Sequence, residues 1–417
     1  MIRKIVSRLV IALLLGLSCR DDPASRSAAA PERPRASFDG YSVDDLARFV
    51  AGRPNGLPER FAPLASDPTY LGIAERMSVA WTRYAARHLE PMRTWRAELA
   101  GKYGEEVFYP FGGPDAVHPV VLFPDARRYT LFGLERVGRL PRPAFDSPAD
   151  ATAMVDAVHG AVGGVLGQGG PGAGRNFFLT LRMTGSVGAT PDSGVAAILL
   201  LFLSRLEFEI LDAYPFMLDG EGRIVPAERE EKAYGVRVLF REAGGGTTRE
   251  INYFQLNISD ANIPKTPGLR AYLERRRDLT TMLKAASYLM YLDAFDDVRG
   301  VILNRSRLIV SDSSGMPFHF LKAGDWQRTG YGNYVGAIGL FNVRFEPDRR
   351  AFYLANKGRP LPFAYGYHPT SPNLIVAERA PGREFGSLIF DGHDTEGVTT
   401  FFRNGRQVIL GEHRVLE

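Results

Sequence analysis

The chain has a single cysteine, Cys19, among its 417 residues. A disulfide within the chain needs two cysteines, so the fold must be held together by its packed core. The composition can supply such a core, because 45% of the residues are hydrophobic and 24% are charged, the balance of an ordinary globular protein. This balance excludes a wholly disordered chain, a collagen and a protein with many membrane spans.

The sequence also lacks a strong excess of either charge. Its net charge is +4, and Arg3, Lys4 and Arg8 supply three of these charges in a segment without acidic residues. The rest of the chain is close to neutral and carries neither a basic face nor an RNA-binding motif. We therefore expect no nucleic-acid partner.

Familiar catalytic and cofactor signatures are missing as well. The sequence contains no G-x-S-x-G and no H-E-x-x-H, which counts against a standard α/β-hydrolase and a zincin. Residues 167–172 fit G-x-G-x-x-G, but a predicted helix precedes them where the dinucleotide fingerprint needs a strand. We expect a surface loop at this position and no bound cofactor.

The N-terminus has the order of a bacterial secretion signal. Residues 1–8 are basic, residues 9–17 form an uninterrupted apolar run, and the small residue Ser18 follows. The run is short for a permanent membrane anchor, since a helix that crosses a bilayer needs about 20 apolar residues. Residues 1–18 are therefore predicted to be a signal peptide.

The position of the only cysteine, directly after this signal, resembles the bacterial lipoprotein pattern. The resemblance implies that Cys19 receives the lipid and anchors the mature protein to membrane lipid through palmitate-like acyl chains. Arg20 follows in place of an acidic residue, which favours the outer membrane of the cell envelope. The alternative is a plain cleaved signal peptide with an incidental cysteine. Residues 19–38 are polar and rich in Ala, Pro and Ser, which predicts a flexible tether.

Residues 39–417 are predicted to form one large α/β or α+β domain with a mixed sheet flanked by helices. Predicted strands at 107–113 and 129–135 are joined by a short crossover and followed by a helix that begins at Pro148. Two hairpins are expected further on. The first joins 236–241 to 250–258, and the second joins 399–403 to 407–410 around Asn404-Gly405 and ends the domain.

Three other segments are predicted to be helical. Residues 70–100 carry apolar residues at helical spacing, with His88 on the apolar face and a kink at Pro91. His88 is expected to be a buried, hydrogen-bonded core residue. Residues 195–211 are apolar enough for a buried helix, and residues 268–292 are also predicted to be helical.

Two acidic residues follow predicted strands and form the candidate catalytic site. Asp115 ends the turn FYPFGGPD, His118 lies three residues later, and Asp312 directly follows the strand LIVS. If both strands run the same way in one sheet, the two carboxylates lie at the edge where α/β proteins bind ligands. A carboxylate there can act as a general base, and His118 or His319 can move a proton. The alternative is that these residues only cap backbone N–H groups in turns.

Two polar or aromatic clusters have competing interpretations. The segment DGHDTEG offers Asp391, His393, Asp394 and Glu396 to a divalent ion, but it also has the composition of a polar turn, and we assign no metal. Five aromatic residues in glycine-rich stretches can stack on sugars or belong to a core. They are Trp326, Tyr331, Tyr334, Tyr365 and Tyr367.

Several motifs between about residues 70 and 380 resemble those of an uncharacterised family of bacterial exported proteins, many of them lipoproteins. They are FYPFGGPD, FPDARRYTLFGLE, KAASYLMY, SDSSGMPF, YGNY and NLIVAER. The resemblance implies export and overall shape. It implies no activity and identifies no catalytic residue.

The sequence therefore predicts a lipid-anchored envelope protein with a binding or assembly role, its partner a cell-wall glycan or another envelope protein. The alternative is a periplasmic hydrolase-like enzyme that uses Asp115, His118 and Asp312. The two hypotheses differ in geometry. An enzyme needs the two carboxylates in one open pocket within about 10 Å of each other, whereas a binding protein can use both as turn caps.

Overall fold

The computed structural model describes residues 37–38, 40–167, 194–335, 346–356, 358–367, 371–386, 388, 399–403 and 406–410. All of them belong to one compact unit, Ala36–Glu417. Cys19, the cluster at 391–396, most of the glycine-rich loop and the Asn404-Gly405 turn lie outside the described residues.

The described helices are short to medium in length and alternate with strands along the chain. The α-helices are α1 (Val43–Val50), α2 (Ala62–Ala65), α3 (Pro68–Tyr84), α4 (Glu90–Trp95), α5 (Val117–Leu122), α6 (Pro148–Gly163), α7 (Val195–Arg205), α8 (Leu269–Glu274), α9 (Asp296–Arg305) and α10 (Pro347–Asn356). Short 3₁₀ turns lie at Glu59–Phe61, Arg96–Leu99, Glu230–Lys232, Ala286–Tyr291, Asp293–Phe295 and Phe318–Phe320.

The described strands belong to one large sheet and two small hairpins. They are β1 (Ser37–Phe38), β2 (Tyr41–Ser42), β3 (Glu106–Tyr109), β4 (Arg128–Gly133), β5 (Phe208–Leu218), β6 (Ile224–Pro226), β7 (Gly235–Glu242), β8 (Arg249–Gln255), β9 (Leu279–Leu283), β10 (Ser306–Ser311), β11 (Trp326–Gly332), β12 (Asn373–Arg379), β13 (Thr399–Arg403) and β14 (Arg406–Leu410). The last two pair antiparallel with Arg403 opposite Arg406, which confirms the predicted C-terminal hairpin.

Ten strands form one mixed sheet in the order β11-β12-β10-β9-β3-β4-β8-β7-β5-β6. The middle strands β10, β9, β3, β4 and β8 are parallel to one another. Antiparallel strands extend the sheet on both sides, including the predicted pair β7 and β8. The predicted class, α/β or α+β with a mixed sheet flanked by helices, is confirmed.

The central strands are covered on both faces. Every residue of β3 and β9 is buried, as expected for parallel strands between two layers of helices. Successive residues point to opposite faces, so Val107 belongs to one core cluster and Phe108 to the other. Buried residues of α1, α3, α6 and α7 complete the first cluster, and those of α8 and α9 contribute to the second. The ends of these strands therefore lie deep in the protein.

The helical segment predicted over 70–100 is present, but it is not one regular helix. Between α3 and α4 the chain forms a π-helical turn at Ala85–Leu89, in which the N–H of Glu90 donates to the carbonyl of Ala85, five residues earlier. Pro91 follows directly and has no N–H to donate. The irregularity expected at the proline therefore lies in the turn before it. His88 lies on this turn and is buried.

Two of the predicted helices are wrong in part. Helix α7 ends at Arg205, and the residues after Glu207, whose φ is 67°, begin strand β5. Of the segment 268–292, only α8 is α-helical; the chain then forms β9 before the 3₁₀ turn at Ala286–Tyr291. The sequence LTTML is buried on both sides and shows no alternation, so its pattern does not separate a strand from a buried helix.

No helix in the described part of the chain is long and apolar enough to cross a membrane.

Candidate functional site

Three adjacent parallel strands, β3, β9 and β10, bring charged residues to the same edge of the sheet. β9 lies between the other two. Lys284 directly follows β9, Asp312 directly follows β10, and Asp115 lies in the turn between β3 and α5. His118 is in the first turn of α5. The predicted condition for Asp115 and Asp312 to share an edge, that their strands run the same way, is therefore confirmed.

Asp115, His118 and Lys284 form a closed set of contacts, which we call the buried trio. Lys284 Nζ lies 2.7 Å from Asp115 Oδ2 and 2.9 Å from His118 Nδ1. His118 Nδ1 lies 2.6 Å from Asp115 Oδ1. The three side chains are at most 3% exposed, so these contacts are formed away from bulk water. A charge in such a place is stable only when it is paired.

The trio is surrounded by tyrosines that complete its hydrogen bonds. The hydroxyl of Tyr109 donates to Asp115 Oδ2 at 3.3 Å, and the hydroxyl of Tyr84 lies 3.3 Å from His118 Nε2. When His118 carries its proton on Nδ1, it donates to Asp115 and accepts from Tyr84 on Nε2. This is the tautomer that a carboxylate selects in carboxylate–histidine pairs, with Nε2 left as a base. In the other tautomer, with the proton on Nε2, Nδ1 accepts from Lys284 and Nε2 donates to Tyr84.

The electrostatics of the trio follow from burial and from the short contacts. Burial alone would raise the pKa of Asp115, but His118 and Lys284 together hold it well below its usual range. Burial lowers the pKa of His118 and of Lys284, against the attraction of the Asp115 carboxylate. Asp115 is therefore ionised, while the lysine and the imidazole compete for the proton that balances it.

Asp312 at the same edge is held differently. Its Oδ1 accepts from the backbone N–H and the hydroxyl of Ser314, at 2.9 and 2.6 Å, and its Oδ2 accepts from the N–H of Ala285 at 3.0 Å. Burial raises the pKa of this carboxyl to about 6, although these hydrogen bonds oppose the shift. Gly366 packs so closely that a Cβ there would lie 1.7 Å from Oδ2. Asp312 therefore acts as a backbone cap, as the alternative interpretation predicted.

The turn after β9 is strained. Ala285 has φ 54° and ψ −107°, a conformation that costs a non-glycine residue about 1–3 kcal/mol. Its N–H is bound by Asp312, its carbonyl accepts from the Ser314 hydroxyl at 2.9 Å, and the N–H of Lys284 donates to Ser287 Oγ at 2.8 Å. Sharp strand-to-helix turns present a reactive side chain above a sheet in α/β-hydrolases. Here the turn fixes the backbone from which Lys284 extends.

Two buried polar atoms near the trio have no hydrogen-bond partner among the described residues: His88 Nδ1 and the hydroxyl of Tyr365. His88 is 5% exposed and Tyr365 is 0% exposed. Burial lowers the pKa of His88 to about 4, with the charges of His118 and Lys284 adding to the shift. Buried polar atoms without partners are rare, and each needs an explanation such as a catalytic role or a bound molecule.

The sequence predicted Asp115 and His118 correctly as neighbours but missed Lys284, because its segment was expected to be helical. A signal was present: Lys284 directly follows the apolar run LTTML. His319 is exposed and is not part of the site. Three of the five aromatic residues, Trp326, Tyr331 and Tyr365, are buried, as the alternative of core aromatics predicted.

No protein-family model, no curated protein and no solved structure matches the chain. The chemistry of the site must therefore be argued from its own residues. Among the described residues, no group of three His, Cys, Asp or Glu side chains is arranged to hold a metal ion.

Proposed function

We propose that the protein is a lipid-anchored enzyme of the bacterial envelope, hydrolase-like and without a cofactor, in which His118 transfers protons to and from a substrate. One observation carries the proposal. Asp115, His118 and Lys284 are in direct contact at the carboxyl ends of adjacent parallel strands, the usual position of an α/β ligand site.

Each member of the trio has a distinct role. Asp115 holds the imidazole in the tautomer that leaves Nε2 as a base, and its charge stabilises the imidazolium formed when Nε2 takes a proton. The hydroxyl of Tyr84 lies 3.3 Å from Nε2. Burial raises the pKa of Tyr84 well above its usual value, so the hydroxyl stays neutral and can donate to Nε2. Lys284 supplies the positive charge that balances Asp115.

Binding or assembly without catalysis is the second candidate. It is favoured by Asp312, which caps two backbone N–H groups, and by the near-complete burial of the trio. A glycan or an envelope protein then remains the proposed partner. The side chains of the trio are at most 3% exposed, so they do not form the open pocket expected of an enzyme. Asp115 also accepts from the backbone N–H of His118 at 3.4 Å. The enzyme is nevertheless the better proposal because Asp115 also bonds to two ionisable side chains, which a turn cap does not require.

The enzyme proposal is tested with the full chain purified in detergent and a panel of ester, amide and glycoside substrates. A hydrolysed substrate should lose about 10²–10⁴-fold in rate with His118→Gln. His319→Gln, at an exposed histidine, is the matched control and should leave the rate unchanged. Equal rates for both variants would exclude His118 from the reaction, and no hydrolysis of any substrate by the wild type would favour the binding role.

The membrane anchor is proposed on the sequence alone and has its own test. Cys19→Ser should release the protein into the soluble periplasmic fraction and abolish the incorporation of radiolabelled palmitate. Membrane retention of the variant would contradict anchoring through this cysteine.

A further inference from the structure

We propose that Lys284 is a nucleophile that forms a covalent imine with a small ligand carrying an aldehyde or a ketone. The inference deepens the proposed function, because it names a substrate class for the same site and rests on proton transfer by His118. The position of the amine, its neighbours and the unpartnered atoms around it support the inference separately.

The contacts of the trio allow the amine to lose its proton at little electrostatic cost. Lys284 must be neutral to attack a carbonyl carbon. When His118 is in the tautomer with its proton on Nε2, its Nδ1 is free, and a proton that moves across the 2.9 Å from Nζ to Nδ1 leaves the net charge of the trio unchanged. The imidazolium that results keeps Asp115 Oδ1 at 2.6 Å as its counter-ion. Burial also lowers the pKa of Lys284, which favours the neutral amine.

The unpartnered polar atoms point to a polar ligand beside the amine. The pKa of His88 responds to the charges of Lys284 and His118, and the pKa of Tyr365 responds to those of Asp115 and Asp312. Both side chains therefore lie within electrostatic range of the trio. A ligand with oxygen atoms near its carbonyl would supply the hydrogen bonds that His88 Nδ1 and the Tyr365 hydroxyl lack among the described residues.

The reaction needs no oxidant, reductant or metal. The Lys284 nitrogen forms a bond to the carbonyl carbon, and the carbonyl oxygen becomes the hydroxyl of a carbinolamine. That hydroxyl takes a proton from the His118 imidazolium and leaves as water, while the nitrogen lone pair closes the C=N bond. The protonated amine of Lys284 starts with three hydrogens, one of which passes through His118. Two of the three leave in the water, and one remains on the iminium nitrogen. Attack of water on the imine runs these steps in reverse and releases the carbonyl compound.

The test is reductive trapping on the wild-type full chain. Glyoxylate or acetaldehyde is added at pH 7 with cyanoborohydride, which reduces an imine to a stable secondary amine, and the modified lysines are located by peptide mass spectrometry. Lys232 and Lys265 are exposed and serve as internal controls. We expect Lys284 to be modified faster than either, since burial lowers its pKa and the neutral amine is the form that attacks a carbonyl carbon. Modification of the two controls without modification of Lys284 overturns the inference.

Two variants separate this inference from the proposed function. Lys284→Arg keeps a positive charge beside Asp115 and should abolish trapping at position 284, while His118→Gln should slow trapping without removing it. Hydrolysis that depends on His118 in a protein that traps no carbonyl would leave the proposed function standing and overturn the imine. Trapping at Lys284 whose rate is unchanged by His118→Gln would exclude the proton transfer from Lys284 to His118 on which the inference rests.

Discussion

The amino ends and the carboxyl ends of the central parallel strands carry different kinds of charged groups. At the amino ends, Arg128 pairs with Glu106 and Glu250, Arg276 pairs with Glu106, and Arg237 pairs with Glu250. The pKa of Arg128 and that of Arg237 are raised: burial opposes the shifts, but the neighbouring carboxylates outweigh it. The pKa of Glu250 is lowered: burial opposes the shift, but Arg237 and Arg128 outweigh it.

The carboxyl ends instead carry groups that can gain or lose a proton. They are the amine of Lys284, the imidazole of His118 and the carboxyl groups of Asp115 and Asp312. Burial lowers the pKa of Lys284 and raises that of Asp312 to about 6, which favours the uncharged form of both side chains. The comparison shows that one sheet can combine a fixed charge network at one edge with a titratable one at the other. The amino end holds the strands in register, and the carboxyl end has the properties of a reactive site.

The largest difference between the edges should appear when one cation is removed. Lys284→Met leaves Asp115 buried beside the imidazole and should lower the free energy of unfolding by about 3 kcal/mol or more. Arg276→Met leaves Glu106 paired with Arg128 and should cost about 1–2 kcal/mol. Urea unfolding of both variants measures the difference. A smaller loss for Lys284→Met than for Arg276→Met would contradict the description of the trio as the more deeply buried network.

Replacing the carboxylate of the trio should lower activity and, because it leaves the charge of Lys284 buried without its counter-ion, stability as well. Asp115→Asn offers an amide to His118 and no longer selects the Nδ1–H tautomer, so the rate on any substrate found should fall by about 10³-fold. Glu250→Gln at the opposite edge is the matched control and should leave the rate within about twofold of the wild type, since it lies far from any proton transfer. Similar rates for the two variants would place the chemistry elsewhere.

The titration of Asp312 predicts a stability that depends on pH. Its folded pKa of about 6 lies above the ordinary value of 3.8 for an aspartate. The folded protein therefore gains stability from protonated Asp312 at low pH and loses about 3 kcal/mol of it as the pH rises through 6. Asp312→Asn should remove this slope between pH 4 and pH 7. Unfolding free energies measured across that range test the prediction, and parallel curves for the variant and the wild type would refute it.

The smallest effect is expected at the strained turn. Ala285→Gly relieves the unfavourable φ and should raise the stability by about 1 kcal/mol while it loosens the backbone that carries Lys284 and lowers activity. Glu207→Gly, at another residue with positive φ, should give a similar gain in melting temperature with no change in activity. Unaltered activity in Ala285→Gly would show that the turn does not position the lysine.

The sequence predicted the fold class and two of the three residues of the buried trio. Asp115, His118 and Asp312 were recognisable because turn residues after apolar strands mark the edge of a sheet. Lys284 was not, because the buried strand before it lacks the alternation that separates strands from helices. His88 was correctly predicted to be buried, but the hydrogen bond predicted for it is missing at Nδ1 among the described residues. That missing partner depends on the three-dimensional neighbourhood and has no trace in the sequence. The strain at Ala285 likewise depends on contacts with residues far along the chain, Asp312 and Ser314.

The π-helical turn at Ala85–Leu89 limits which insertions and deletions the chain can accommodate. It accommodates one residue more than a regular turn, and removing any one of these residues would advance every later position by about 100° around the helix axis. Met92, Trp95 and Leu99, now buried, would then face away from the core. Substitutions in the turn are therefore easier to accommodate than a change in its length, and the spacing between Tyr84 and Met92 is the part of this helix that the protein has to preserve.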